Sequence, residues 1–193
     1  MRKLKLQVQM TVDGFVARPD GALDWMTWNL DEKLIQFIGD LHTTVDSILL
    51  GRKMTGGFNS YWESVSKNPE SPEYTFGTLL HEMPKFVFTK TLSESDPEVK
   101  AWHKTSLIKG DLVEEVNKLK NQEGKDLIVY GGAEFVSNLV RNNLIDEYFL
   151  FINPTAIGSG LKIFDKVSES LKLTLVKATP YSCGITVLNY KPA

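Results

Sequence analysis

Apolar and polar residues alternate at the beginning of the chain. Leu4, Leu6, Val8 and Met10 occupy every second position of the segment 3–11, which is the period of a strand with one apolar and one polar face. The pattern predicts a half-buried first strand over residues 3–11, followed by a turn at TVDG.

Helical spacing of apolar residues appears further along the chain. The segment 30–41 carries its apolar residues on one face, with Asp31 and Glu32 at the amino end, where the helix dipole favours acids. Two more helices are predicted, one over GDLVEEVNKLKNQ with Asp111 as its cap and one over AEFVSNLVRNN. A helix of uncertain limits is expected within residues 53–82, together with an excursion over residues 56–72 that is rich in glycine, serine and proline.

Short apolar runs predict the other strands. They are VDSILLG, KFVFTK, the weaker HKTSLIK, DLIVYGG, DEYFLFINP, LKLTLVKATPYS and GITVLNYK. Strands alternate with helices and are followed by a run of strands, which indicates a three-layer αβα fold of the α/β class. We expect a mostly parallel central sheet with antiparallel carboxyl-terminal strands, in a single domain spanning residues 1–193.

Composition excludes several classes of partner. The 22 basic and 24 acidic residues give a formal charge of -2 without a basic block, so nucleic acid is not expected. Cys183 is the single cysteine, and the three histidines lie far apart in the sequence, so neither a disulfide nor a metal cluster is predicted. No segment has the pattern of a signal peptide or a membrane span, which favours a cytoplasmic protein without membrane contact.

Two predicted strands end in glycine-rich corners. Gly51, Arg52 and Lys53 follow SILL, and the turn Gly131–Ala133 follows LIVY. Both corners would lie at the carboxyl edge of a parallel sheet, where backbone amides at helix starts can bind a pyrophosphate. Lys90, in FTKT, adds a cation at the same edge. Neither corner matches the G-x-G-x-x-G fingerprint or a P-loop, and either could be an ordinary tight turn.

Several segments together carry a family resemblance. QMTVDGFVARPDGALDW, ILLGRKMT, FVFTKTL, IVYGGAEFVSNLV and IDEYFLFINPTAIGSGLKIF occur in this order, and Pro154, Gly158, Gly160 and Phe164 form a P-x-x-x-G-x-G-x-x-x-F pattern. The chain resembles the dihydrofolate reductase-like family, especially the branch similar to the carboxyl-terminal reductase domain of bifunctional riboflavin biosynthesis proteins. The likeness covers nearly the whole chain.

The resemblance implies an NADPH site and assigns its residues. It implies that backbone groups of Val16 and Ala17 hold the nicotinamide carboxamide and that Thr89 and Lys90 lie near the adenosine ribose and its phosphate. The phosphate contacts implied by the resemblance come from Gly51, Arg52, Lys53, Gly131, Gly132, Ala133 and Glu134. The family's usual threonine after G-R-x is replaced by Met54, with Thr55 one position later. The resemblance also implies a homodimer, in agreement with unpaired carboxyl-terminal edge strands.

Catalytic candidates are few, because hydride transfer places most of the chemistry on the cofactor. Asp24 is the candidate acid, whereas Asp13, before Gly14, has the pattern of a turn residue. The position of the pterin-binding acid of folate reductases falls on Lys33, which argues against dihydrofolate as substrate.

Aromatic residues are candidates for the substrate pocket. Trp25 and Trp28 could form the wall of a flat heterocycle, as could Tyr61 and Trp62, although aromatics at such positions commonly belong to a core.

The preferred hypothesis is an NADPH-dependent reductase of a small nitrogen heterocycle, similar to the ribosylaminopyrimidine reductase of riboflavin synthesis. No deaminase half with zinc-ligand motifs precedes it in this sequence. The alternatives are an NADP-binding module or sensor without turnover, and a phosphosugar or phosphate-binding enzyme.

Overall fold

The structure is a computed structural model that describes residues 1–193. Its strands are β1 (Leu4–Thr11), β2 (Val45–Gly51), β3 (Lys85–Phe88), β4 (Thr105–Ile108), β5 (Asp126–Val129), β6 (Glu147–Asn153), β7 (Leu173–Pro180) and β8 (Thr186–Pro192). Its helices are α1 (Glu32–Thr43), α2 (Arg52–Ser66), α3 (Tyr74–Glu82), α4 (Pro97–Ala101), α5 (Leu112–Lys120) and α6 (Ala133–Arg141). None of these helices combines the length and the apolar character needed to cross a bilayer.

All strands belong to one sheet in the order β4-β3-β2-β5-β1-β6-β8-β7. The strands from β4 to β6 in this order pair in parallel. β8 runs antiparallel to β6, and β7 runs antiparallel to β8. The predicted fold class is confirmed: a mostly parallel sheet lies between two helical layers and ends in antiparallel carboxyl-terminal strands.

Each face of the sheet has its own core. The α5/α6 face contains Leu6, Leu49 and Val129, packed against Val136 and Leu139 of α6. The α1–α3 face contains side chains of the same strands that point the other way, including Ile48 and Ile128. Successive residues of a strand alternate between the two faces, so one strand contributes to both cores.

β1 is not the half-buried strand that its alternation predicts. It lies between β5 and β6 in the middle of the sheet, and its polar positions Lys5 and Thr11 are 6% and 1% exposed. The alternation therefore separates an apolar core from a polar stripe that is largely buried, with Gln7 and Gln9 partly exposed. The amino-acid pattern alone does not distinguish the two cases.

The region between β2 and β3 also differs from its prediction. Two helices, α2 and α3, occupy the segment in which one helix was expected, and Gly56 and Gly57 lie inside α2 and not in an excursion. Glycine is a poor helix former, but α2 and α3 pack closely: a Cβ on Gly77 would lie 2.4 Å from a methyl carbon of Val65. Tertiary packing outweighs the local preference here.

The predicted caps of α1 and α5 are confirmed. The Asp31 carboxylate accepts a hydrogen bond from the Leu34 amide at 2.9 Å, and the Asp111 carboxylate accepts bonds from the Val113 and Glu114 amides. The bond from the Leu34 amide is the main reason that the pKa of Asp31 is lowered to about 2.

Candidate functional site

The carboxyl ends of the parallel strands open onto a cleft of about 1910 Å³. The corners after β2 and β5 both line it, because these strands are neighbours in the sheet. Every residue predicted to bind the cofactor, from Val16 to Glu134, lines this same cleft. The cleft exceeds the roughly 300–1,000 Å³ typical of a site for one small molecule, so it has room for a dinucleotide and a second ligand.

Position 51 requires glycine because there is no room for a side chain. Its φ of -82° is accessible to any residue, but a Cβ at this position would lie 2.6 Å from the Cβ of Phe135 in α6. The absence of a side chain lets α6 approach the end of β2. Gly51 thereby brings the two corners together.

Position 132 requires glycine because of its backbone conformation. Its φ of 78° lies in the left-handed region, which residues with a Cβ rarely adopt. It is the N-cap of α6 and provides no side-chain hydrogen bond, and Gly51 likewise leaves the amino end of α2 without one. By contrast, α1 and α5 are capped by aspartates. Two helix starts with unsatisfied amides and positive dipole ends therefore face one cleft, an arrangement suited to a phosphate group.

The cleft also carries cations that lack an acidic partner. Arg52, Lys90 and Lys109 line it and form no salt bridge within the protein. Lys53 instead pairs with Glu134, with its Nζ 3.2 Å from Oε2, and this hydrogen bond lowers the pKa of the Glu134 carboxyl. Because Lys53 offsets the charge of Glu134, the edge remains positive. Lys109 was not predicted from the sequence, since it follows the weakest predicted strand.

The hydroxyl of Thr89 is occupied by the local turn. Its Oγ1 accepts hydrogen bonds from the amides of Thr91 and Leu92 at 3.2 and 3.1 Å. The residue is 7% exposed and lines the cleft. Thr89 thus shapes the loop that presents Lys90.

Val16 and Ala17 lie at the other end of the cleft, held by the glycine-rich loop after β6. The Val16 amide donates to the Leu161 carbonyl, and the Leu161 amide donates to the Ala17 carbonyl, each at 2.8 Å. A Cβ on Gly160 would lie 2.2 Å from the Ala17 oxygen, which explains the second glycine of the late motif. The carbonyl of Val16 and the amide of Ala17 have no protein partner, and an adjacent acceptor and donor of this kind match a carboxamide.

Asp13 has the structural role that its sequence pattern favours. Its carboxylate accepts hydrogen bonds from the Thr11 hydroxyl and from the amides of Ile157 and Gly158. The hydrogen bond from Thr11 is the main cause of its lowered pKa. Asp13 therefore ties the loop after β1 to the loop after β6.

An apolar lobe of the cleft lies over the α1–α3 face of the sheet. Its walls are formed by side chains of α2, α3 and the end of β5: Met54, Phe58, Trp62, Phe76, Leu80 and Tyr130. The Tyr130 and Phe58 rings stack with centroids 5.7 Å apart. The lobe has the shape and lining expected for a flat ring.

The predicted substrate residues do not line the cleft. Trp25 is a core residue that is 6% exposed, and Trp28 is 67% exposed on the surface. Asp24 is exposed, and its Oδ1 lies 2.6 Å from Nε of Arg18, whose hydrogen bond lowers the pKa of the carboxyl. These positions were chosen by their proximity to the VDGFVA segment in the sequence. Their neighbours Leu23 and Met26 do line the cleft, and Trp62 of α2 provides the aromatic wall.

The structure also shows where the two departures from the family pattern lie, the one at Met54 and Thr55 and the one at Lys33. The hydroxyl of Thr55 donates to the Gly51 carbonyl at 3.1 Å inside α2, so it does not face the cleft, whereas Met54 does. Lys33 is exposed and does not line the cleft.

The histidines differ from their sequence-based expectation. His81 and His103 stack with ring centroids 4.6 Å apart, and one ligand atom of each lies within 4.8 Å of a Glu82 carboxylate oxygen. The expectation that the histidines, being far apart in the sequence, do not come together is therefore wrong for this pair. The group lies outside the cleft, and Glu82 already pairs with Lys104 at 2.9 Å. His42 lies in the last turn of α1 and is 2% exposed.

A comparison with protein families decides what kind of chain this is. The model described as "RibD C-terminal domain" matches residues 2–187. The chain belongs to the RibD C-terminal domain family. This family membership confirms the resemblance inferred from the glycine-rich segments.

Individual relatives agree with this membership. The Bacillus subtilis (strain 168) protein YyaP, which is described as uncharacterized, is 31% identical over 190 residues, which cover 98% of this chain and 94% of YyaP. A solved structure from Shewanella sp. PV-4, described provisionally as a riboflavin biosynthesis protein, has a TM-score of 0.69 at 24% identity and covers 100% of this chain and 99% of its own.

A bifunctional protein gives a similar match over part of its length. The Thermotoga maritima diaminohydroxyphosphoribosylaminopyrimidine deaminase/5-amino-6-(5-phosphoribosylamino)uracil reductase has a TM-score of 0.68 at 19% identity. The match covers 100% of this chain and 57% of that protein. At these identities the structural matches establish the fold, and the family establishes a reductase-like chain.

Proposed function

We propose that residues 1–193 form a single domain that acts as an NADPH-dependent reductase of a small nitrogen heterocycle. The observation that carries this proposal is the convergence of two uncapped helix starts, those of α2 and α6, on one cleft that continues into an aromatic lobe. The first part suits a pyrophosphate, and the second suits a flat acceptor.

The proposed cofactor orientation follows from the ends of the cleft. The free carbonyl of Val16 and the free amide of Ala17 would bind the nicotinamide carboxamide, and the amides after Gly51 and Gly132 would bind the pyrophosphate. Lys90 and Lys109, which lie at the far edge of the cleft, would contact the phosphate on the adenosine ribose. NADPH would supply the hydride when bound. The protein would align the acceptor in the aromatic lobe and exclude water from it.

Cofactor titration tests the proposal. Binding of NADPH should quench tryptophan fluorescence, because Trp62 lines the cleft. Arg52→Ala should weaken NADPH binding by about tenfold, the usual scale for one charge-assisted contact. Lys33→Ala is the matched control, because it removes an exposed cation outside the cleft, and its affinity should equal that of the wild type. Equal affinities for all three proteins would contradict the proposed site.

A module that binds NADP without turnover is the second candidate. It is favoured by the absence of a carboxylate among the side chains of the aromatic lobe. The two candidates separate when NADPH oxidation is followed with pyrimidines, pterins and dihydrofolate as acceptors. Binding of NADPH without oxidation by any acceptor would support the module.

We also propose that the protein is a homodimer. β7 is an edge strand of the sheet, and Leu175 and Val176 on it are 51% and 50% exposed. An exposed apolar edge strand is suited to pairing with a second copy. Light scattering should give the dimer mass for the wild type and the monomer mass after Leu175→Lys with Val176→Lys. A monomeric wild type would contradict the proposal.

A further inference from the structure

Two histidines and a glutamate meet at the end of α3, outside the cleft. One ligand atom from each of His81, Glu82 and His103 lies within 4.8 Å of the other two. The two imidazole rings stack, with centroids 4.6 Å apart and planes at 15°. None of the three side chains is buried, so an ion can reach them directly from solvent. Imidazole nitrogen and carboxylate oxygen together form a ligand set that suits Zn²⁺ and similar divalent cations.

Backbone pairing holds the segments that carry these ligands next to each other. His81 and Glu82 are the last two residues of α3, whereas His103 lies in the turn between α4 and β4. β3 joins the two segments, because the Lys85 amide donates to the Lys104 carbonyl and the Lys85 ammonium donates to the His81 carbonyl, each at 2.8 Å. The approach of His103 to the end of α3 is therefore set by the fold.

The distances within the cluster are close to those of a metal site. Bonds of about 2.0–2.2 Å in a tetrahedral zinc site place neighbouring ligand atoms roughly 3.3–3.6 Å apart. Nε2 of His103 and Oε1 of Glu82 are already 3.1 Å apart. Only His81 has to come closer, and rotation about its side-chain bonds supplies the difference, because its ring is only partly buried.

The neighbouring lysine does not block the carboxylate. Nζ of Lys104 lies 2.9 Å from Oε2 of Glu82, whereas Nε2 of His103 faces the other oxygen, Oε1. The side chains of Lys104 and Glu82 are 47% and 50% exposed, and an ion pair in solvent is weak. Oε1 is therefore available to an ion.

We propose that His81, Glu82 and His103 form a binding site for one Zn²⁺ ion or a similar divalent cation. Three protein ligands leave one position of a tetrahedral site to water. The proposal is independent of the reductase function, because the cluster lies outside the cleft.

The bound ion connects two parts of the cleft wall. α3 contributes Phe76 and Leu80 to the aromatic lobe, and β4 is followed directly by Lys109 at the cationic edge. β4 is an edge strand of only four residues. An ion held by the end of α3 and by the turn before β4 fastens this strand to the helix, and it stabilises the folded chain because the unfolded chain does not present the three ligands together.

Zinc titration of the metal-free protein tests the site. The full chain is treated with a chelator, dialysed and titrated with Zn²⁺ at neutral pH in a calorimeter. It should bind one equivalent, with a dissociation constant in the micromolar range or below. Free Zn²⁺ at about 100 times this constant should raise the melting temperature by about 5 °C, because the ion binds the folded state.

Substitutions assign the ligands. His81→Ala and His103→Ala should each weaken zinc binding at least about 100-fold and remove the thermal shift, since each deletes a direct ligand. Glu82→Gln should weaken binding at least about tenfold. Glu98→Gln is the matched control, because Glu98 is an exposed acid of α4 outside the cluster, and it should keep the wild-type affinity. Lys104→Ala should bind zinc as tightly as the wild type or more tightly.

The outcomes decide the proposal without reference to NADPH. It is overturned if the wild type does not bind zinc, or if binding survives in either histidine variant, as it would for an adventitious ion bound elsewhere. A loss in Glu98→Gln as large as that in Glu82→Gln would also overturn it. Melting without metal shows whether each variant folds, and if one histidine variant does not, the other decides. The NADPH titration of the metal-free wild type is a separate measurement, so the two proposals fail independently.

Discussion

β1 lies in the middle of the sheet, yet the chemistry of its two faces is opposite. Toward α5 and α6 the strand presents Leu6 and Val8 to a core of aliphatic side chains. Toward α1–α3 it presents Gln7 and Gln9, which line the cleft. A strand in the middle of a parallel sheet is normally apolar on both faces. Polar side chains at β1 reduce the packing energy of the α1–α3 face. The difference between the faces shows that these side chains instead form a polar floor under a binding lobe.

The same face holds further buried polar groups of the parallel strands. Lys5 pairs with Asp126, with Nζ and Oδ2 2.9 Å apart. Lys85 is 1% exposed, and its ammonium donates to the carbonyls of His81 and Met83. The ammonium groups of Lys5 and Lys85 thus have partners, whereas Oε1 of Gln7 in the lobe has none. This face should therefore be sensitive to pH and to ligands, whereas the α5/α6 face should be sensitive to changes in volume.

The largest effect is expected on the apolar face. Leu6→Ala removes a fully buried side chain and should lower the free energy of unfolding by about 2–5 kcal/mol, because it leaves a cavity. Denaturant unfolding measures this loss. Gln7→Met, one residue away on the other face, should leave the stability unchanged or raise it. An equal loss in the two variants would break the comparison between the faces.

Lys85, on the α1–α3 face, should make the free energy of unfolding depend on pH in the alkaline range. Burial lowers its pKa from 10.5 to about 8. Between these values the unfolded chain binds more protons, so stability should rise with pH, by up to about 3 kcal/mol over the interval. Lys85→Met should remove this rise in urea unfolding at alkaline pH. The exposed Lys100→Met is the control and should keep it; a rise retained in Lys85→Met would contradict the assignment.

His42, on the same face, should make the free energy of unfolding depend on pH in the acidic range. Burial lowers its pKa below 6.5, so its stabilising contribution is present above about pH 6.5 and is lost as pH falls. His42→Phe should cost about 1 kcal/mol near neutral pH, because it removes the hydrogen bond with Tyr130. The difference from the wild type should narrow toward pH 5. A difference that grows in acid would be inconsistent with a buried neutral imidazole.

The smallest effect is expected outside both faces. Asp24 is ion-paired with Arg18 in solvent and does not line the cleft. Asp24→Asn should therefore leave NADPH affinity and NADPH oxidation unchanged. Trp62→Ala, at the wall of the lobe, provides the contrast, since under the proposed function it should impair NADPH oxidation. A strong loss of turnover in Asp24→Asn would indicate that the active site does not lie on the α1–α3 face.

Local sequence patterns predicted much of the fold but not how deeply its strands and helices are buried. The period of β1, the apolar runs and the caps at Asp31 and Asp111 are properties of a few neighbouring residues, and their predictions are confirmed. The burial of His42 depends on α1, α3 and the end of β5 packing together, and nothing in its neighbourhood in the sequence indicates this. The same reason explains why Gln7 and Gln9 were read as a solvent-exposed face.

The candidate site divides in the same way. Glycine corners and cations are short motifs, so Gly51, Arg52 and Gly131 could be named in advance and do line one cleft. The walls of the lobe come from different helices and strands, and the tryptophans nearest to the motifs, Trp25 and Trp28, turned out to lie outside the cleft.

The chain alone determines the order of strands and helices along the sequence, the helix caps at Asp31 and Asp111, and the family. These features depend on backbone conformation and on contacts between residues close in sequence, which the side chains specify locally. The tertiary structure decides which polar residues are buried and which aromatic side chains surround the lobe. Those features arise only when β1, β5 and α2 meet, because burial is a property of all the surfaces in contact and not of any one segment.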